Sequence, residues 1–345
     1  MDAEREKLSH VTYLEVVMPQ SSVLVNSLRD SLYDADELYD RYDSTDFRSY
    51  KQTFDFRVYQ DFVSSGKIER ASGRQAIVQS LHDGSIMQAT KTFTVGQKIV
   101  AFMGGHKLSR ASELYREVVL MAKHLTERKY LVVTGGGPGA MEAAHLGALL
   151  ADLKEGQVDK AIERLAVEPS LPQKLEHLVD DKGKVNEDLL QQVHRWLRPA
   201  LGIAREYERR SHSLGIPTWH YGQEPSTPFA SHIAKYFQNS IREDGMLALA
   251  NYGIIYVEGR AGTLQEIFQD AAQNYYKTFG FASPMVFYKK KQWLEDLPIK
   301  PLLDKLFDGE GNAPQRELLT YADTPGEVYE AVERFSPPQT KQGQA

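Results

Sequence analysis

The fold is decided by the stretch Ile254-Ile-Tyr-Val-Glu-Gly-Arg-Ala-Gly-Thr-Leu-Gln-Glu266. Its β-favouring start leads into a glycine-containing turn, and apolar residues then recur at helical spacing. The stretch therefore predicts a strand, a tight turn and a helix, which together form the repeating unit of a parallel α/β sheet. The helix residues predicted to share one face are Leu264, Ile267, Phe268, Ala271, Ala272 and Tyr275.

The turn within this stretch has the features of an anion site. Gly259 and Gly262 allow a ligand to approach the backbone closely. Thr263 and the unpaired N–H groups of the first helical turn then point at that ligand, with the helix dipole behind them. A plain helix start without a ligand is the alternative. Glu266 lies one turn further on, where it either caps the helix or acts on a group attached to a bound phosphate.

Composition restricts the classes of protein to consider. The chain has 345 residues, a formal net charge of −6 and no cysteine. These values predict no nucleic-acid partner and exclude disulfides and thiolate zinc sites. The ten histidines show no metal-ligand spacing, so we expect no metal site. The charged N-terminus and the lack of an apolar run of roughly 20 residues predict a cytoplasmic protein without a membrane partner.

The chain divides into a main domain with three additions. Residues 1–95 are predicted to form a helical N-terminal extension, in which the acidic, tyrosine-rich stretch 30–46 is either a solvated face or a partner contact. Residues 96–336 are predicted to form a doubly wound, Rossmann-like α/β domain with helices on both faces of a parallel sheet. A helical insertion is expected at about 151–212, and a disordered tail at 337–345.

Strand and helix patterns give the order of elements in more detail. In the extension, a helix is predicted over 74–87, ending near Gly84. Further on, a long helix is predicted over 227–249. Strands are predicted at 98–103, 130–134, 216–221, 252–257, 285–288 and 318–321, and Pro325 is predicted to open the last helix.

Three glycine-rich turns each follow a predicted strand. They lie at 104–105, 135–139 and 259–262. Ligands of doubly wound sheets bind beyond the carboxyl ends of the strands, so we expect all three turns at one edge. The Gly-Gly-Gly-Pro-Gly turn has neither dinucleotide-fingerprint nor P-loop spacing, so it predicts neither NAD nor ATP. It forms either a phosphate or ribose cradle or a tight turn without a ligand.

Two of these segments resemble the motifs of one enzyme family. The first, Thr134-Gly-Gly-Gly-Pro-Gly-Ala-Met-Glu-Ala-Ala-His-Leu-Gly-Ala148, resembles the first motif of the LONELY GUY family, long labelled "lysine decarboxylase-like". The second, Glu258-Gly-Arg-Ala-Gly-Thr-Leu-Gln-Glu266, resembles that family's Pro-Gly-Gly-x-Gly-Thr-x-x-Glu. Arg242 and Met246 match its Arg-x-x-x-Met. The resemblance covers roughly residues 97–335.

The resemblance implies hydrolysis of the N-glycosidic bond of a nucleoside 5′-monophosphate, which yields the free base and ribose 5-phosphate. It implies a homodimer or larger homo-oligomer that needs no cofactor. Glu266 is expected to stabilise the positive charge on the ribose or to position the attacking water, and Arg242 to hold substrate and Glu266 in register. The residues expected to bind substrate or its phosphate are Gly104, Gly105, Gly135, Gly136, Gly137, Gly139, Glu142, Met246, Gly259, Arg260, Gly262 and Thr263.

The sequence also departs from the family pattern. Glu258-Gly259-Arg260 replaces Pro-Gly-Gly, which places a carboxylate and a guanidinium beside the expected phosphate site. Glu243 stands where the family commonly has lysine. A non-catalytic nucleotide-binding sensor on the same fold is therefore the alternative function. Amino-acid decarboxylation is disfavoured because no lysine lies in the glycine turns to carry pyridoxal phosphate.

Overall fold

A single parallel sheet organises the chain in the computed structural model, which describes residues 24–207 and 210–338. Its seven strands lie in the order β4-β3-β2-β1-β5-β6-β7, and every neighbouring pair is parallel. This confirms the predicted α/β class. The strands are β1 Lys98–Met103, β2 Tyr130–Thr134, β3 Ser213–Gly215, β4 His232–Ile233, β5 Ile254–Tyr256, β6 Met285–Tyr288 and β7 Leu319–Ala322.

Helices cover both faces of this sheet. Along β1, Ile99 and Ala101 belong to one hydrophobic cluster, whereas Val100 and Phe102 belong to another on the opposite face. Both faces are buried, which explains the unbroken apolar run of β1. The α-helices are α1 Ala35–Leu38, α2 Phe54–Ser64, α3 Gly73–Thr94, α4 Glu113–Glu127, α5 Ala140–Leu149, α6 Glu155–Ala166, α7 Glu187–Glu206, α8 Asn239–Leu249, α9 Ala261–Tyr276, α10 Lys300–Leu306, α11 Ala313–Arg316 and α12 Pro325–Glu333.

The described part of the N-terminal extension packs into the same hydrophobic cluster as one face of the sheet. Tyr33, Tyr39 and Tyr42 are all buried, so the tyrosines of the acidic stretch are core residues, not a free contact surface. The backbone of Tyr33 pairs with Ile233 in β4. Between these tyrosines, Asp34 caps α1 by accepting a hydrogen bond from the Glu37 N–H group.

Two predictions around the third strand were wrong. The strand lies at Ser213–Gly215 instead of 216–221, and Trp219–Tyr221 forms a 3-10 turn. The helix predicted over 227–249 begins only at Asn239, and β4 precedes it. Residues 229–238 are not helical because they carry β4, which pairs with β3 and with Tyr33, so partners distant in the chain decide their conformation.

The predicted end of one helix and the predicted buried face of another were also wrong. The helix of the extension runs through Gly84 to Thr94, since an exposed helical glycine costs only about 1 kcal/mol. On α9, Phe268 and Tyr275 are exposed, and Asp270 occupies the buried face instead. The predicted insertion contains α6 and α7. Most of the predicted tail, residues 339–345, lies outside the described residues.

In the part of the chain that the structure describes, none of the helices combines the length and apolarity that crossing a bilayer requires.

Candidate functional site

The three glycine turns meet at the point in the sheet where the strand order reverses. Strand β1 has β2 on one side and β5 on the other, so the crevice expected for a ligand opens between β1 and β5. There the Gly105 N–H donates to the Glu258 carbonyl at 2.8 Å. The Ala140 N–H, which follows the second turn, donates to the Gly105 carbonyl at 3.3 Å. Backbone contacts thus join the three turns at one edge.

Two of these glycines are required by close packing at this edge, Gly139 against another turn and Gly259 within its own turn. Gly139 has φ +72°, and a Cβ there would collide with the carbonyl of Gly105. A Cβ at Gly259 would collide with the Thr263 hydroxyl. Both positions therefore need glycine, the first for backbone conformation as well as for space.

The turn after β5 leads into α9 and leaves unpaired backbone N–H groups there, as an anion site requires. Leu264 is the first residue whose N–H closes a helical turn, onto the Arg260 carbonyl at 2.9 Å. The N–H groups of Ala261, Gly262 and Thr263 come before it, so no intrahelical acceptor is within their reach. Arg260 and Gly262 are exposed and Thr263 is buried. The side chain of Glu258 is also exposed, so its charge faces solvent at this edge.

Arg242 on α8 reaches across to the second glycine turn. A Cβ at Gly135 would lie 2.9 Å from Arg242 Nη1, so the guanidinium rests directly against that glycine. Asn239 accepts from Arg242 Nε at 3.1 Å and Nη2 at 2.9 Å, and Glu243 lies 3.5 Å from Nη2. These contacts orient the guanidinium toward the turn. Glu243, at the position where the family commonly has lysine, serves here as a partner of Arg242.

Glu266 faces Arg242 from α9. Burial raises the pKa of Glu266 to about 7, with Arg242 opposing the rise and Glu243 adding to it. Within residues 24–207 and 210–338, its carboxylate forms no hydrogen bond or ion pair. It therefore does not act as a helix cap in this structure. A carboxyl group with a raised pKa beside a guanidinium marks Glu266 as a candidate functional residue.

Sequence reasoning missed two residues at this site. The Met141 thioether lies across the second turn, 2.9 Å from where a Cβ would stand at Gly135 and also at Gly137. Glu224 Oε2 lies 3.8 Å from a Cβ at Gly137, on the same side. Glu224 follows the third strand and lies between the predicted strand 216–221 and the predicted helix 227–249. No periodicity or motif marks it, so only the folded chain shows its position.

Two predicted substrate contacts are placed elsewhere. Glu142 is fully buried in an ion pair with Arg110, whose Nη2 lies 2.5 Å from Oε1 and whose Nε lies 2.8 Å from Oε2. The Tyr115 hydroxyl donates to Oε2 at 3.0 Å. Both carboxylate oxygens are thus occupied within the core. Met246 is 1% exposed and packs in the hydrophobic core. We correct both predictions and assign these side chains structural roles.

A chain of buried hydrogen bonds connects the second glycine turn, 135–139, to β3. Thr134 Oγ1 accepts from the Gly136 N–H at 2.9 Å and is also hydrogen-bonded to His145 Nε2 at 2.9 Å. His145 Nδ1 is hydrogen-bonded to Ser213 Oγ at 3.0 Å. Burial lowers the pKa of His145 to about 3, so the imidazole stays neutral in the folded protein. The chain therefore ties the turn to β3.

We expect His145 to make the fold sensitive to acid. Below about pH 6.5 the unfolded chain protonates this histidine while the folded chain does not, so stability falls as pH drops toward 3. Between pH 7 and pH 5 the loss should be about 2 kcal/mol. Urea unfolding at both pH values should show a drop smaller by about that amount in His145→Gln than in wild type. Equal drops in the two proteins would contradict this assignment.

Among the described residues, no three His, Asp or Glu side chains are grouped as metal ligands would be.

Comparison with known proteins leaves the family open. No protein-family model matches the chain, and no curated protein matches it. Among solved structures, it is similar to a molybdenum cofactor binding protein from the phototrophic bacterium Rippkaea orientalis. The sequence identity is 12%, the match covers 70% of this chain and 98% of that chain, and the TM-score is 0.38. It is also similar to the molybdenum cofactor carrier protein from Chlamydomonas reinhardtii, with 13% identity, coverage of 69% and 97%, and a TM-score of 0.38. The fold assignment therefore rests on this chain's own parallel sheet.

Proposed function

We propose that this protein is a nucleoside 5′-monophosphate phosphoribohydrolase. It hydrolyses the N-glycosidic bond of a nucleotide to give the free base and ribose 5-phosphate. The resemblance of its two glycine motifs to those of the LONELY GUY family suggests this reaction. That this chain belongs to the LONELY GUY family is itself part of the proposal.

One observation carries the proposal: Glu266 lies within electrostatic range of Arg242, whose guanidinium rests against the glycine turn 135–139. The open N–H groups at the start of α9 suit a 5′-phosphate. Glu266 lies one turn away, where a carboxylate suits the positive charge that develops on the ribose as the base departs. The pKa of Glu266 near 7 suits either stabilisation of that charge or activation of water.

Base release from a panel of nucleoside 5′-monophosphates tests the proposal. We expect at least one nucleotide to yield free base and ribose 5-phosphate in equal amounts, without added metal or cofactor. The corresponding nucleosides should react far more slowly, because they lack the phosphate that α9 binds. Tight binding of a nucleotide without base release from any of them would favour the sensor, for which the exposed Glu258 and Arg260 would mark an altered pocket.

We also propose that the protein forms a homodimer through α9. Phe268, Tyr275 and Tyr276 are 38%, 36% and 77% exposed along this helix. Covering such aromatic side chains is a common source of association energy. We expect sedimentation equilibrium to give about twice the chain mass, and Tyr276→Glu combined with Phe268→Glu to shift the protein toward monomer. A wild-type monomer at micromolar concentration would contradict this.

A further inference from the structure

The sheet order sets the direction in which a bound nucleotide lies; this step rests on the proposed function. Strands β5, β1, β2 and β3 are consecutive neighbours, so the loops after them follow one another along the carboxyl edge. With the phosphate at the start of α9 after β5, the sugar lies near the turn 135–139 after β2. The base then extends toward the segment 217–226, which follows β3.

Glu224 is the carboxyl group on that segment. Its side chain is 24% exposed and lies over the Gly137 end of the second turn. Its own N–H donates to the Tyr221 carbonyl at 2.9 Å, which fixes the turn that carries it. His106 Nδ1, from the loop after β1, lies 3.7 Å from Oε1. The group is thus held between two loops at the base end of the cleft.

Burial and the neighbouring cationic groups act on the Glu224 carboxyl group in opposite directions. Burial raises the pKa of Glu224, and the opposing effects come from His106, Arg242 and Lys107. Arg242 lies against Gly135 of the same turn. The cleft therefore carries two carboxyl groups, Glu266 on the α9 side and Glu224 on the opposite side.

We propose that Glu224 is the general acid that protonates the leaving base. As the bond between the anomeric carbon and the base nitrogen breaks, its electron pair stays on the base. The Glu224 carboxyl group gives its proton to a ring nitrogen or oxygen of that base, which leaves neutral. Water attacks the anomeric carbon and gives its proton to the Glu266 carboxylate. Exchange with solvent then restores both side chains.

The test compares two leaving groups in Glu224→Gln, which keeps the side-chain shape but has no acidic proton. On the nucleotide that wild type cleaves best, kcat should fall about 100-fold or more. On 4-nitrophenyl ribofuranoside 5-phosphate, whose nitrophenolate leaves without a proton, kcat should stay within about threefold of wild type. Ribose 5-phosphate should bind the variant as it binds wild type, which checks that the site is folded.

A pH profile on the nucleotide alone gives a second readout. Wild-type kcat should fall on the alkaline side as Glu224 loses its proton, and Glu224→Gln should lack that fall. Near wild-type activity on the nucleotide, equal loss on both substrates, or a retained alkaline fall would each overturn the acid role. Failure of the proposed function is distinguishable from these, because wild type itself would then release no base from any nucleotide.

Discussion

Replacing Glu266 with glutamine should lower kcat for base release by about 10²- to 10⁴-fold. The substitution keeps the size of the side chain and removes the negative charge that faces Arg242 and the developing ribose cation. Because the pKa of Glu266 is raised to about 7 by burial, wild-type kcat/KM should rise with pH through about 7. The second pKa of the substrate phosphate lies near 6, about one unit lower. Initial rates between pH 5 and 9 measure this rise of kcat/KM with pH.

Asp270 provides a matched control for this substitution. It lies one turn further along α9, and burial raises the pKa of Asp270 to about 7 as well. Its carboxylate accepts from the Tyr256 hydroxyl at 2.7 Å inside the core. Asp270→Asn should therefore keep kcat within a few-fold of wild type. A similar loss in both variants would show that α9 needs its carboxylates for folding, and would remove the catalytic assignment of Glu266.

Replacing Arg110 with methionine should destabilise the fold by about 3–5 kcal/mol. The substitution leaves the Glu142 carboxylate without its counter-ion in a fully buried position. It also removes the hydrogen bond at 2.8 Å from Arg110 Nη1 to the Trp196 carbonyl, which ties α7 of the insertion to the loop after β1. Urea unfolding measures the loss. Base release at low temperature should persist, since neither side chain faces the cleft.

The double variant Arg110→Met with Glu142→Met separates charge burial from packing. Replacing both members of a buried ion pair with apolar side chains is often nearly neutral, so most of the stability lost in Arg110→Met should return. If the double variant were less stable than Arg110→Met, the pair would contribute through packing geometry and the charge argument would be wrong.

Predictions from the sequence succeeded where the signal is local. The strands β1 and β2 are unbroken apolar runs ending in glycine, and both lie where the runs predicted them. Ser112 begins α4 by accepting from the Tyr115 N–H, as serine commonly does before a helix. Prediction failed at β3 and β4, which are three and two residues long. The equally short β5 lies in an apolar run, whereas β3 and β4 do not, so only their neighbours in the sheet decide their position.

The candidate site was likewise predictable only where residues close together in the chain mark it. Glycines at strand ends indicated that three turns would meet, because parallel strands bring their carboxyl ends to one edge. The role of Glu142 was not readable, because its partner Arg110 lies 32 residues away in the chain. Glu224 was missed for a related reason: it reaches the cleft through a loop, and loops have no periodicity that predicts where a side chain points.

By itself, the sequence determined the alternation of strands and helices, the glycine turns at the strand ends and the placement of Glu266 one turn into a helix. These properties depend on residues close together in the chain. Only the tertiary structure decided that Arg242 and Glu224 lie over opposite ends of one turn, and that Glu142 is buried in an ion pair. Such contacts join residues from separate elements, and they form only when the sheet order and the packing of its helices bring those elements together.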